Sequence, residues 1–229
     1  MDSSATYVVG TGKEVNNVNN FFMKNELKNR DCHIFHATQC GIGDFQRRSY
    51  LSLELKKGCR VQATSNTVLA TKKVVHQTYG TVVDFQYCRV FDGDEAKGSS
   101  DLVMMCPVVQ FDTGYKGAVP PITFYSSDRS RPTRRQFPLR LAFAITGHSI
   151  QGSEIRKGSK LVTHTTQISG PAFLYVFCGR AQTLDDIFFI GDVPDFRKAA
   201  RVSQLIDSAL KFNDRLSASD FRHSKAVLK

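Results

Sequence analysis

Thr146, Gly147, His148, Ser149, Ile150, Gln151 and Gly152 follow directly on an apolar run. Hydroxyl, imidazole and amide side chains at this density can hydrogen-bond to phosphate or to a base edge. Gly147 and Gly152 let backbone approach such a ligand closely. A second position with chemical potential is Arg180, at the end of the mainly apolar stretch that starts at Pro171. A guanidinium is always charged, planar and rich in donors, and one fixed at the end of a core element suits charge stabilisation on a transferred phosphoryl group. A third is the basic run Arg129, Arg131, Arg134 and Arg135, within seven residues. It reads equally as a solvated charge run or as a set of phosphate contacts.

The elements that must position these groups can be read from pattern. Leu139 to Ile145 is apolar apart from Arg140, which predicts a strand buried on both faces, as in a parallel sheet. The polar stretch after it then forms a loop at that strand's carboxyl end, where α/β sheets place ligand-contacting groups. Ala5 to Val9 predicts a short strand, and Val15, Val18, Phe21, Phe22 and Leu27 are spaced for one face of a helix over Glu14 to Lys28. Thr11-Gly12-Lys13-Glu14 lies between them and is not a phosphate loop, which needs G-x-x-x-x-G-K-[ST]. From Leu53 to Asp112 the texture turns to short strands with glycine turns, among them Lys56-Lys57-Gly58, Tyr79 to Phe85, and Val103 to Phe111 with Pro107 marking an edge or bulge. That texture reads as a small barrel. Asp92 to Ser100 is a polar loop, and Asp195 to Leu216 an amphipathic helix with Ala199, Val202, Leu205, Ile206, Ala209 and Leu210 on one face.

Composition narrows the possibilities. The 229 residues are 41% hydrophobic and 23% charged, enough for a packed core of one large or two small domains. A formal net charge of +10 points to a polyanionic partner. Six scattered cysteines without C-x-x-C read as reduced thiols, not a disulfide framework. Cys32, His33, His36 and Cys40 do not have a common zinc spacing, so no metal site is expected. The first residues lack the pattern of a secretory leader, and no apolar run approaches the roughly 20 residues of a membrane span; neither leader nor membrane partner is expected.

Several segments together resemble the PIF (petite integration frequency) family of superfamily 1 DNA helicases and their RecD-like relatives. Gln136, Pro138, Leu139, Leu141, Ala142, Ala144, Thr146, His148, Gln151 and Gly152 fit the family's motif V, with Ser149 and Ile150 replacing Lys-Ser. Thr11, Glu14, Val15, Val18, Asn19 and Asn20 fit the segment that opens its second RecA-like domain. Leu55, Lys57, Gly58, Val61 and Asn66, then Gly80, Val82, Val83 and Phe85, then Pro107, Val109, Phe111, Asp112 and Gly114 fit its SH3-like barrel, although His76-Gln77 stands where Asn-Gly is usual. Tyr175, Val176, Arg180, Leu184, Asp185 and Ile187 are similar to motif VI, with Gly179 in place of Ser or Thr.

The resemblance implies an α/β fold: a RecA-like second domain of P-loop-NTPase type, with a parallel sheet, flanking helices and an inserted SH3-like β-barrel. Residues 1–52 would begin the RecA-like domain, 53–128 form the barrel, and 129–229 complete the domain. It implies that Arg180 is the arginine finger, with Gly152 and Glu154 beside it at the nucleotide. It also implies single-stranded DNA contacts from Thr146, His148, Ser149, Gln151, Arg134, Arg135 and Lys57. No Walker A or Walker B motif occurs in the chain. ATP and Mg²⁺ are therefore expected only together with an amino-terminal helicase half carrying the P-loop, in the same gene or a separate chain. The expectation is the carboxyl-terminal part of an ATP-dependent 5′–3′ DNA helicase, inactive alone, and intracellular, with nucleus, mitochondrion and viral replication site left open. The alternatives are a non-catalytic nucleic-acid-binding remnant or accessory protein, and an interaction module built on the barrel.

Overall fold

A computed structural model describes residues 5–43, 45, 49–69, 72–91, 101–126, 132–150, 159–168, 171–181 and 183–192. The expected loop over 92–100, the expected helix over 195–216, and Arg129, Arg131, Gln151, Gly152 and Glu154 lie outside these.

The chain opens with strand β1 (Thr6–Val9) and helix α1 (Gly12–Phe21). Thr11 caps α1: its hydroxyl accepts from the Glu14 amide, and the Glu14 carboxylate accepts from the Thr11 amide at 2.8 Å. This reciprocal capping box satisfies two otherwise orphaned donors, and it is the structural use of the Thr-Gly-Lys-Glu sequence. The helix expected to reach Lys28 stops at Phe21 and continues as one π-helical turn, Phe22–Glu26. That turn places Phe22 and Met23 in the core, and the Lys56 ammonium donates to the Met23 carbonyl at 2.8 Å.

Short strands follow: β2 (Cys32–His36), β3 (Thr38–Cys40), β4 (Ser52–Lys56), β5 (Arg60–Ala63), β6 (Thr67–Leu69) and β7 (Lys72–Val74). In β4, Leu53 and Leu55 point inward, whereas Leu51 is exposed just before the strand. Two long strands, β8 (Tyr79–Phe91) and β9 (Asp101–Phe111), pair antiparallel with a register shift between Val82 and Asp84. Then come β10 (Lys116–Ala118), β11 (Ile122–Tyr125), β12 (Thr133–Gln136), β13 (Leu139–Leu141), β14 (Ala144–Thr146), β15 (Leu161–His164), helix α2 (Pro171–Cys178) and β16 (Ile187–Ile190).

Two sheets dominate. One is parallel, in the order β14-β1-β15-β16; the other is antiparallel and five-stranded, in the order β10-β9-β8-β5-β13. Pro107 sits inside β9, where its carbonyl accepts from the Val119 amide at the end of the β10 ladder. The missing proline N–H therefore costs at most a terminal bond. Gly58 turns β4 into β5 at φ +94, and Gln77 takes φ +72 in the turn before β8. The Gln77 position is where the family pattern has glycine; here a non-glycine residue accepts the left-handed conformation, while its amide donates to the Ala63 carbonyl at 2.8 Å.

The apolar run from Leu139 to Ile145, expected as a single strand in a parallel sheet, is two strands in two sheets. Leu139–Leu141 pairs antiparallel with β5, and Ala144–Thr146 pairs parallel with β1. The handover occurs between adjacent residues. The Ala142 amide donates to the Arg60 carbonyl of the antiparallel sheet, and the Phe143 carbonyl accepts from the Tyr7 amide of the parallel one, at 2.9 and 2.8 Å. Phe143 stacks on Phe22 at 4.6 Å between ring centroids, so both sheets share one core.

Beyond β14 the sheet ends, and the Ala144 amide has no strand to meet. Asn19, buried on α1, accepts from it through Oδ1 at 3.1 Å. Asn19→Ala leaves that buried donor unmade, at a cost of about 1–3 kcal/mol. The expected result is a melting temperature lowered by roughly 2–10 °C. A thermal melt that does not move would show the bond to be dispensable.

Candidate nucleic-acid and nucleotide interface

The carboxyl edge of the parallel sheet gathers three turns. After β14, Thr146 to Ile150 closes on itself: the Ser149 and Ile150 amides donate to the Thr146 carbonyl at 2.9 and 3.2 Å, and the Thr146 and Ser149 hydroxyls lie 2.8 Å apart. His148 is exposed at the tip of this turn. Gly147 lies against the Phe173 ring, where a Cβ would come within 2.5 Å of Cε2, so no larger residue fits unless the ring moves. After β1 comes Gly10 and the capping box. After β15 comes Gln167, whose amide oxygen accepts from the Gly10 N–H at 3.0 Å and whose Nε2 donates to Glu14 at 2.7 Å. The Thr11 hydroxyl, first, and Gln167 hold the Glu14 carboxyl below its usual range. Gln167 thus ties neighbouring strand ends together, a role its position in the sequence does not announce.

Thr146, His148 and Ser149 are therefore brought together, as expected. Arg180 is placed apart from them. Helix α2 links the carboxyl end of β15 to the amino end of β16 and so runs back across the sheet, with Phe177 buried among Val8, Ile145 and Leu161. The Arg180 amide donates to the Phe177 carbonyl at 3.2 Å, finishing the helix. Its Nε is buried without a hydrogen-bond partner. A buried donor left unmade is costly; Arg60, whose Nε is likewise unmet, pairs both Nη atoms with Asp112.

Arg134 is the opposite case. Its Nε and Nη2 donate to Gln39 Oε1 at 2.9 and 2.6 Å, its Nη1 to the Ser49 carbonyl at 2.7 Å, and it lies 4.1 Å over the Phe45 ring. Expected from the sequence to meet phosphate, this guanidinium is instead committed to bracing the segment between β3 and β4. Arg135, its neighbour in β12, is half-buried, and burial lowers its pKa. Lys57 is paired with Asp84 at 3.3 Å on the surface of the antiparallel sheet, far along the chain from the Thr146 turn.

Sequence reasoning missed a groove of about 900 Å³ running along α1 from the sheet edge. Lys13, Thr146 and Ser149 stand at its mouth; Asn16, Asn20, Tyr50, Glu54 and Arg140 line its length. Arg140, the one charge in the Leu139 to Ile145 run, gives its Nε to Gln62 Oε1 at 2.8 Å and its Nη2 to the same atom. Buried Gln136 anchors Tyr50 from behind, donating to the Phe35 and Tyr50 carbonyls at 3.0 and 3.1 Å. The spacing of Gln136 in the motif could have flagged it, but not what it holds.

Among the described residues no three His, Cys, Asp or Glu side chains converge as a metal site. Cys32 lies against Glu54, and His33 packs on Phe85 at 4.2 Å between centroids. All six cysteines are free. Burial pushes the Cys59 and Cys106 thiols up to about 12 and Cys178 up to about 11, so these stay protonated and poorly nucleophilic. Among the described residues no helix is long and apolar enough to cross a membrane.

No protein-family model matches the chain. The ATP-dependent DNA helicase PIF1 of Trypanosoma brucei brucei is 31% identical over 125 residues, which cover 44% of this chain and 13% of that protein. The unliganded Pif1 from Bacteroides sp shares the fold at a TM-score of 0.64 and 20% identity, over 92% of this chain and 46% of its own. The Pif1 helicase from Candida albicans does so at 0.63 and 20%, over 93% of this chain and 50% of its own. The Bacteroides Pif1 in complex with ADP-AlF3 and ssDNA does so at 0.61 and 21%, over 93% and 46%. The α/β fold with its parallel sheet is the fold of these helicases. The resemblance carried by the motifs thus stands on local sequence identity and on fold: this chain is similar to PIF-family helicases, and it spans half or less of the length of each relative named here.

Proposed function

We propose that this chain is the second RecA-like part of an ATP-dependent 5′–3′ DNA helicase. In that role it grips single-stranded DNA and completes a nucleotide site held mainly by a P-loop-bearing domain. The observation that carries the reading is the Thr146–Ser149 turn, held by its own hydroxyls at the carboxyl edge of a parallel sheet, where α/β folds bind ligands. Thr146, His148 and Ser149 would meet phosphates there, with Lys13 beside them and Gln151, Arg135 and Lys57 as further contacts. Arg180 would act as the arginine finger, with Gly152 and Glu154 near the nucleotide. The unmet donor on Arg180 supports this, because a phosphoryl oxygen would supply its acceptor. Residues 53–128 would form the SH3-like barrel, with Leu139–Leu141 completing its sheet. ATP and Mg²⁺ would be bound only with the P-loop half present.

The test begins with strand binding by the chain alone. With two or three phosphates neutralised by cations, a log–log salt slope of about −2 is expected for a single strand. Affinity for an oligothymidine would then fall roughly tenfold to twentyfold between 50 and 200 mM salt. Salt-independent binding, or no binding at low salt, would overturn the nucleic-acid role. Intact binding, with no ATP turnover even when a P-loop half is supplied, would favour a non-catalytic binding remnant.

A further inference from the structure

The groove along α1 differs chemically from its mouth. Lys13, Thr146 and Ser149 at the sheet edge offer a cation and two hydroxyls. Further along, the lining becomes mixed and amphipathic: Asn16 and Asn20, exposed and one turn apart on α1, share it with Tyr50 and Ser52. Glu54 lies in the opposite wall, its side chain 49% exposed and 3.8 Å from Lys56. Arg140 also lines it, oriented by the neutral Gln62 amide and still carrying its charge. A phosphate meets a cation and two hydroxyls together at the mouth, whereas further in the Glu54 carboxylate opposes it and offsets the Arg140 charge. A base has the opposite preference. It is uncharged, has an aromatic face to stack, and has edge groups that an amide can match as donor and acceptor. The volume, about 900 Å³, lies within the roughly 300–1,000 Å³ range of ligand sites.

We infer that the groove along α1 is a base-binding channel. The strand's phosphates run over the rim at Lys13, Thr146 and Ser149, and a base turns inward to stack on Tyr50, with its edge toward Asn16 and Asn20. This rests on the single-stranded DNA reading above and adds to it an orientation and three residues. Tyr50 is suited to the part because it is fixed without being hidden. Its carbonyl is held by Gln136, and the next residue's carbonyl accepts from the Ala37 amide at 2.8 Å, yet Tyr50 itself remains 41% exposed. Stacking, not the hydroxyl, is the contribution assigned to Tyr50.

The experiment uses the full chain and an oligothymidine carrying one 2-aminopurine, whose fluorescence reports stacking. Binding should quench the probe. Tyr50→Ala should abolish the quench and weaken binding about tenfold, whereas Tyr50→Phe should keep both. An oligonucleotide whose reporter nucleotide is abasic should bind wild type and Tyr50→Ala alike. A quench that survives Tyr50→Ala would overturn the channel. So would an equal loss of affinity for normal and abasic strands, since that marks a structural residue. In either case strand binding itself persists, so the nucleic-acid reading survives. Absence of any strand binding at low salt would overturn both.

Discussion

Arg180→Ala should lower DNA-stimulated ATP turnover by about a thousandfold or more, the usual worth of an arginine finger. The measurement uses this chain assembled with a P-loop-bearing half, and strand affinity should stay within about twofold. The expectation rests on how the side chain is mounted. Helix α2 is anchored by Leu174 and Phe177, both buried, and ends in a hydrogen bond from the Arg180 amide to the Phe177 carbonyl. The backbone under the guanidinium is therefore rigid, while its Nε lacks an internal acceptor. The crossover also carries Arg180 away from the Thr146 turn, so its loss should leave the DNA contacts in place. Arg180→Lys should fail nearly as badly, because an ammonium cannot reproduce the planar, multi-donor fork. Unchanged turnover in Arg180→Ala would remove the finger assignment.

Asp112→Ala should be the most destabilising single substitution outside the apolar core. Arg60 of β5 donates through Nη1 and Nη2 to the two Asp112 oxygens at 2.8 and 2.5 Å and also reaches the Thr81 hydroxyl of β8 at 3.3 Å. The pair is mostly buried, the side chains being 11% and 23% exposed. Removing one partner strands a desolvated charge, which costs about 3–5 kcal/mol when fully buried and somewhat less here. A loss of roughly 2–4 kcal/mol is expected by urea unfolding. Arg60→Met combined with Asp112→Ala should recover much of it, because the unpaired charge is then gone. A loss below about 0.5 kcal/mol in Asp112→Ala would place the pair with ordinary surface bridges. The consequence extends beyond stability. The Arg60 carbonyl accepts from Ala142, the last residue before the chain passes to the parallel sheet. Loosening Arg60 therefore loosens the base of the strand that carries Thr146.

Much of this architecture was legible from local pattern. Strand β1, the start of helix α1, the turn at Gly58 and the strand character of β8 and β9 all follow from periodicity and glycine placement within a few residues. The grouping of Thr146, His148 and Ser149 followed too, because adjacent residues in one turn cannot be separated. The position of Arg180 at the end of a core element was likewise written in the apolar stretch before it.

What local pattern could not determine was partnership across the chain. The run from Leu139 to Ile145 carries no mark of where one sheet gives way to another, since both demand apolar side chains. The division is made by Arg60, Tyr7 and Asn19, which lie 82, 136 and 125 residues before Ala142, Phe143 and Ala144. Nor could composition distinguish Arg134 from Arg135. Only folding brings Gln39, Phe45 and Ser49 around one of them and makes it an internal brace. The groove arises in the same way, from α1, the segment around Tyr50 and β13–β14 meeting in space. The sequence by itself determined which residues could bind a polyanion and which elements would carry them. The tertiary structure decided which of those donors are already used by internal partners, because hydrogen bonds and desolvation depend on contacts between residues far apart in the chain.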